Sequence, residues 1–303
     1  MRIITTNILA SLAVWALAAG CGEGIVEIDQ SAYEPKIVIE GFIFPHQPVR
    51  NIRLTRNIPL NTEIDVSTVV LSDAQVAIVD ESGRRYPLSL NPITFAFDDF
   101  GTDLEIENGK SYTLEVSAIV DDVALHARAT TTVPAGPVRI DRNAPKLAPL
   151  LYRERDQNGE LKRFEIAFER APGSSFFALA LKALNADTTT FIYDNAFEEF
   201  TGEDVLEDLD DFRNRFSWIQ DQPLAPGQSI MEIFWFDLWF YSDYQAVLYA
   251  GDRNFKDFLT TADQVQEIDG NFHEPVLHIE GDGIGVFASA TADTVHFAVK
   301  KPQ

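Results

Sequence analysis

Tyr112-Thr113-Leu114-Glu115-Val116-Ser117-Ala118-Ile119-Val120-Asp121-Asp122-Val123-Ala124-Leu125-His126-Ala127-Arg128-Ala129 is the stretch whose reading decides the fold. Tyr112, Leu114 and Val116 alternate with Thr113, Glu115 and Ser117, the period of a strand with one buried face. Asp121-Asp122 then reverses the chain, and Val123, Leu125, Ala127 and Ala129 take up the same period. Two amphipathic strands joined this tightly need a second layer to cover their apolar face.

The flanking sequence supplies that layer. Ile37-Val38-Ile39-Glu40-Gly41-Phe42-Ile43-Phe44 reads as a buried strand closed by Pro45, and Ile52, Leu54 and Ile58 as a second. Val76 and Ile78 lead through a Ser82-Gly83 turn into Tyr86 and Leu88. Short strands with turn signals between them predict an antiparallel sandwich of immunoglobulin or fibronectin type III kind over residues 36–136. Thr131-Thr132-Val133-Pro134 and then Gly136-Pro137 mark the exit from it.

Residues 137–303 read as a second β-rich domain with one or two short helices, so the fold class is mainly β. Asn158-Gly159 predicts a hairpin between Leu150-Leu151-Tyr152 and Phe164–Phe168. Phe176–Leu184, Ser229–Phe236, Tyr244–Ala250, Pro275–Glu280, Val286–Ala290 and Thr294–Val299 read as strands. A helical insertion is expected at 203–216, where Val205, Leu206, Leu209, Phe212 and Phe216 fall at helical spacing. Thr201 and Asp204 stand where a cap and a first-turn acid belong. Asp252–Ala262 is read as a helix presenting Phe255, Phe258 and Leu259 on one face.

The N-terminus carries an export signal. Arg2 precedes an apolar run from Ile8 to Ala19, too short for the roughly 20 residues that span a bilayer. The run ends in Leu17-Ala18-Ala19-Gly20-Cys21, which resembles a lipobox, with Ala18 where that pattern prefers leucine. Cys21 is the sole cysteine, so no intramolecular disulfide can form in the export compartment. Residues 1–20 are therefore expected to be a lipoprotein signal peptide, Cys21 the acylated residue, and 21–35 an acidic tether. The formal charge of −23 repels nucleic acid and anionic lipid, which excludes nucleic acid as a partner. It also suits a solvated body standing off its membrane.

Four stretches resemble the Bacteroidota outer-membrane lipoproteins grouped as domain of unknown function 4249 (DUF4249). They are Val26-Glu27-Ile28-Asp29 with Lys36–Gly41; Gly109–Leu114 leading to Thr132-Val133-Pro134; Tyr244–Tyr249 running into Asn254–Leu259; and Asn271–Val276 followed by Gly283–Phe287. The family usually carries an Asn-Ile-x-Gly-Gly turn where this chain has Glu280-Gly281-Asp282-Gly283. The resemblance implies an outer-membrane or surface lipoprotein, often encoded beside a TonB-dependent transporter. It brings no catalytic residues.

No chemical motif stands out. Gly281-Asp282-Gly283-Ile284-Gly285 lacks the Lys-Ser/Thr ending of a phosphate loop and reads as a strand turn. The histidines, at 46, 126, 273, 278 and 296, have no cysteine partner and no helical pairing, so no metal site or cofactor is expected. Glu198, Glu199, Glu203, Asp204, Glu207, Asp208, Asp210 and Asp211 read as a solvated face. There is no Gly-x-Ser-x-Gly elbow, and no catalytic residue is assigned.

Phe234, Trp235, Phe236, Trp239, Phe240, Tyr241 and Tyr244 form the most distinctive cluster. Core packing and a binding platform are both open readings, because a half-exposed strand buries only one face. Trp235, Trp239, Tyr241 and Tyr244 are the candidate ligand-binding residues. The expected function is a non-enzymatic binding or accessory module for an unknown small molecule or a transporter. The alternatives are a surface hydrolase with a carboxylate pair and a structural or adhesive envelope protein.

Overall fold

The computed structural model describes residues 33–59, 66–143, 149–195, 199–219, 227–262 and 275–302. The signal 1–20, Cys21, most of the tether, Glu198, His273 and the stretch 271–274 lie outside the described residues. What is described is mainly β and built from several sheets.

In the first half the period-two segments become β1 (Ile37–Ile43), β2 (Arg53–Arg56), β3 (Gln75–Asp80), β4 (Arg85–Asn91), β5 (Ala96–Asp98), β6 (Ser111–Val120) and β7 (Val123–Thr132), with a single helical turn, α1 (Val66–Val69), before β3. The opening stretch is the β6–β7 hairpin, in register from Ser111↔Thr132 to Val120↔Val123. Asp121 and Asp122 both have positive φ, at 50° and 63°, the type I′ geometry that matches strand twist. The Arg56 guanidinium pairs with the Asp121 carboxylate.

Ile37, Ile39, Ile43 and Leu54 pack against Val76, Ile78, Leu114, Val116, Leu125 and Ala129 in one cluster. Two sheets thus share a core, each fully buried aliphatic side chain contributing about 1.5–3 kcal/mol relative to exposure.

The second half contains β8 (Arg139–Ile140), β9 (Leu150–Leu151), β10 (Phe164–Glu169), β11 (Phe176–Ala183), α2 (Gly202–Glu207), α3 (Leu209–Arg213), β12 (Asn214–Ile219), β13 (Gln228–Ile233), β14 (Asp243–Gly251), α4 (Arg253–Thr261), β15 (Ile279–Gly281) and β16 (Gly283–Lys300). A three-stranded sheet, β13-β10-β8, lies across the core from β12-β11-β14-β16. Phe164, Ile166 and Phe168 meet Phe177, Leu179, Leu181 and Leu248 there.

β16 joins the halves. Gly283–Ser289 run parallel to β1, and Ala290–Ala298 run antiparallel to β14, so one sheet continues as β12-β11-β14-β16-β1-β2. The expected domain boundary near 136 falls between β7 and β8, and strands cross it: β16 pairs with β1, and β15 with β7. A Cβ on Gly285 (φ 107°) would meet the Ile39 carbonyl oxygen at 2.1 Å, so the parallel pairing needs glycine there.

Several expectations are corrected. Val286–Ala290 and Thr294–Val299 are one strand, because the small residues between them keep the β14 ladder unbroken. Pro275–Glu280 contributes only the short β15. The Asn158-Gly159 turn forms a short hairpin, with Arg155 opposite Leu161 and Gly159 donating to the Asp156 carbonyl, but the expected arms Leu150–Tyr152 and Phe164–Phe168 do not pair with each other. β9 pairs parallel to β16, and β10 pairs with β13 and β8. The helix expected at 203–216 splits at Asp208 and ends at Arg213. Phe216-Ser217-Trp218-Ile219 continues as β12, where pairing with β11 outweighs the helical spacing. The Thr201–Asp204 capping box and the Asp252 cap of α4 are present.

Candidate binding surface

After β13 the chain stays extended through Phe234 and then makes a 3₁₀ turn over Trp235–Asp237. The turn breaks strand alternation and lays the aromatic segment across the end of the second core. Trp235 is buried edge-on to Tyr152 and Phe164, both at 5.4 Å, and its Nε1–H donates to the Lys162 carbonyl at 2.8 Å. Tyr244 is buried against Phe297, with its hydroxyl donating to the Phe240 carbonyl at 3.0 Å and accepting from the Phe240 N–H at 2.9 Å. Burial drives its phenol pKa well above the ordinary value.

Trp235 and Tyr244 therefore belong to the core rather than to a ligand platform, since each polar tip finds a backbone partner inside. Trp239 and Tyr241 are partly exposed. Trp239 stacks on Phe191 at 5.7 Å, and Tyr241 meets Tyr152 at 5.9 Å with the Lys301 ammonium 5.8 Å from its ring centre.

The exposed aromatics lie beside this cluster. Phe234 and Phe236 stack in parallel at 5.1 Å, and Phe216 and Trp218 sit two residues apart on β12 with ring centres 6.4 Å apart. Their exposures are 46%, 53%, 45% and 40%, and Ile230 on β13 is 57% exposed. β12 and β13 are the end strands of the two facing sheets. Arg215, 3.9 Å from Asp237, links β12 to the turn that carries Phe236. Burial raises the Asp237 carboxyl pKa, partly offset by Arg215. Helical spacing hid this flank in the sequence, although Phe216 and Trp218 also satisfy a period of two.

A second concavity lies at the junction of the halves. It is a cleft of about 460 Å³ lined by Gly109, Thr132, Pro134, Gly173, Ser174 and Asp252 among others. Asp252 accepts from the Thr131 hydroxyl at 2.6 Å and the Phe255 N–H at 2.9 Å, while the Asn254 amide donates to the Thr130 and Phe287 carbonyls at 2.8 and 2.9 Å. Burial holds the Asp252 carboxyl pKa above its usual range despite these hydrogen bonds. Gly109, Thr132-Val133-Pro134 and Asn254, from two of the stretches that carry the family likeness, converge here. Their polar groups are spent on joining β7, α4 and β16.

Other candidate chemistry is placed as follows. His278 Nε2 lies 2.7 Å from Asp257, tying the segment before β15 to α4. His126 Nδ1 lies 3.0 Å from the Ser117 hydroxyl, but Asp282 accepts from the His126 backbone N–H, so these three groups do not form a relay. No group of three or more His, Cys, Asp or Glu is placed to hold a metal among the described residues. Glu203, Glu207, Asp208 and Asp211 are exposed on α2 and α3.

Packed sheets around two cores, one flanked by exposed aromatics, define a mainly β sandwich-type protein. The chain belongs to the DUF4249 family (domain of unknown function), whose pattern matches residues 24–295. No curated protein matches it.

Among solved structures it is similar to a DUF4785 family protein from Legionella pneumophila, at 14% identity over 71% of this chain and 51% of that one, with a TM-score of 0.23. A 1.5-MDa bacterial ice-binding adhesin shares 10% identity over 88% and 65% of the two chains, with a TM-score of 0.21. Escherichia coli alpha-2-macroglobulin shares 10% over 86% and 14%, also at 0.21. The chain thus spans about half the length of the first of these, and likenesses this distant carry no functional argument.

Proposed function

We propose that this protein is a non-enzymatic binding module, anchored through acyl chains on Cys21 to the outer membrane of a Bacteroidota cell, that docks onto a TonB-dependent transporter. The exposed aromatic flank carries the reading. Phe216 and Trp218 on β12, and Phe234 and Phe236 stacked after β13, leave about half of their surface in water, and exposed aromatic surface of that kind marks interaction sites on soluble bodies. Two acyl chains make membrane release negligible, each buried CH₂ adding about 0.8 kcal/mol, so the body needs no spanning helix of its own.

Two immunoglobulin-like sandwiches suit such a module. The first half sets β16-β1-β2 against the six-stranded β15-β7-β6-β3-β4-β5, the second sets β13-β10-β8 against β12-β11-β14-β16, and each clamps the start of a core strand with a tyrosine. The Tyr112 hydroxyl donates to the Glu105 carbonyl and accepts from the Glu107 N–H, both at 2.9 Å, as Tyr244 does at Phe240. Both hydroxyls bond back to the main chain a few residues upstream, as in the tyrosine corner of immunoglobulin-type folds, which supports the reading.

Co-purification in mild detergent from the native membrane tests the reading. The transporter should accompany the wild-type chain, and Phe216→Lys with Trp218→Lys should abolish its recovery. Equal recovery with both chains overturns it. Cys21→Ser should move the protein into the soluble fraction, and retention in the membrane would refute the anchor.

A further inference from the structure

The flank holds more than side chains. β12 ends the large sheet, and among the described residues no strand pairs with its outer edge. Along that edge the main-chain groups of β12 meet no described strand, and the Asn214 N–H is taken by the Asp210 carbonyl. Natural edge strands are usually closed by proline, bulges, inward charge or a covering element, and an open edge is a template for another strand. Asn214–Ile219 contains no proline, and Phe216 and Trp218 stand on one face of the sheet, where alternate side chains of an added strand would lie beside them.

Area and charge narrow the occupant. An aromatic side chain carries about 150–250 Å², so Phe216 and Trp218, each roughly half exposed, offer on the order of 150–250 Å². A stable dimer needs about 800 Å² from each partner. Two copies of a chain with a formal charge of −23 also repel one another. The approach to β12 is acidic, with Glu203, Glu207, Asp208 and Asp211 exposed on the two helices that precede it. A narrow ligand that takes its affinity from main-chain hydrogen bonds fits this edge, and a second broad surface does not.

We infer that the β12 edge binds an extended segment of a partner protein by strand addition, the segment carrying apolar side chains at alternate positions and lysine or arginine between them. The inference rests on reading the flank as a binding surface and names the chemistry of its partner. Main-chain pairing supplies the affinity, and Phe216 and Trp218 select the apolar positions.

The test pans a phage-displayed library of random dodecapeptides against the full-length chain in mild detergent, then remakes the selected peptides with single backbone N-methyl groups. Blocking amides of one parity should weaken binding about tenfold each, and amides of the other parity should tolerate it. Trp218→Lys should weaken binding by at least about tenfold with an unchanged thermal midpoint. Peptides that need Trp218 but tolerate N-methylation at both parities would overturn strand addition and leave the flank a binding surface. Peptides indifferent to Trp218→Lys, or a failure to select any, would overturn both. A sedimenting dimer dissolved by Trp218→Lys would make a second copy the occupant and refute the inference.

Discussion

β4 and β12 hold the same place in the two sandwiches, and they are finished differently. Each follows the strand it pairs with, β3 or β11, but β4 has β5 beyond it in a six-stranded sheet, whereas β12 ends its sheet among the described residues. β4 carries Arg85 and Pro87, a charge and a missing donor, and its last residues, Ser89–Asn91, pair with β5. β12 carries Phe216 and Trp218 and has no described strand beyond it. Tyrosine clamps and packed layers recur in both halves, so the shared features speak for folding. The unshared edge is where function is to be sought.

The largest expected effect concerns the strand that both halves share. Gly285→Ala places a Cβ against the Ile39 carbonyl and forces alanine to φ 107°, so it should lose roughly 3 kcal/mol or more in urea unfolding. Gly83→Ala, also at positive φ but with nothing within 4 Å, should lose only about 1 kcal/mol. Equal losses would mean that β16 does not bind the first sandwich in the register described.

The two clamps come next. Tyr244→Phe strands a buried Phe240 N–H and C=O and should destabilise by about 2–3 kcal/mol. Tyr112→Phe leaves Glu105 and Glu107, which water reaches more easily, and should lose about 1 kcal/mol. If the order reverses, the clamps are not equivalent devices in unequal surroundings.

At the junction between the halves the expected sign is set by burial. The Asp252 carboxyl has its pKa raised in the fold, so its contribution to stability is full below the unfolded value and falls as pH rises through the folded one. Asp252→Asn keeps a cap for α4 and removes that slope. At neutral pH the variant should match or exceed the wild type, within about 1 kcal/mol. Parallel pH–stability curves for the two chains would show that the carboxylate bears its charge there without penalty.

The sequence made much of the first sandwich legible because strands such as β1 and β7 bury one face at period two, while the fully buried β5 has no such period and was not expected. Thr201 was legible for a similar reason: a helix start needs a side-chain acceptor at one place, and Asp252, read only as the first residue of a helix, proves to be such a cap. The strands at Val286–Ala290 and Thr294–Val299 were legible, but their continuity as β16 was not, since Ala290-Thr291-Ala292-Asp293 has no periodic apolar signal and the parallel partner β1 lies far away in the chain. The flank was hidden by an ambiguity of short apolar runs. Phe212 and Phe216 satisfy a helix while Phe216 and Trp218 satisfy a strand, and only pairing with β11 decides. Trp235 and Tyr244 looked like surface candidates because the sequence does not show whether a polar ring tip meets a backbone partner inside the fold.

The smallest expected effect bears most directly on the comparison of the two edges. Trp218 sits opposite Ala178 on β11 and makes one ring contact, with Phe216, so little of the fold rests on it. Trp218→Thr keeps strand propensity and adds a hydroxyl where water already reaches. Its unfolding free energy should change by less than about 0.5 kcal/mol, the range for surface positions outside packed clusters. A loss above about 2 kcal/mol would mean that the indole fills a core. The β12 edge would then be as closed as that of β4, and the contrast between the sandwiches would vanish. A small change combined with lost partner recovery separates an indole retained for binding from one retained for folding.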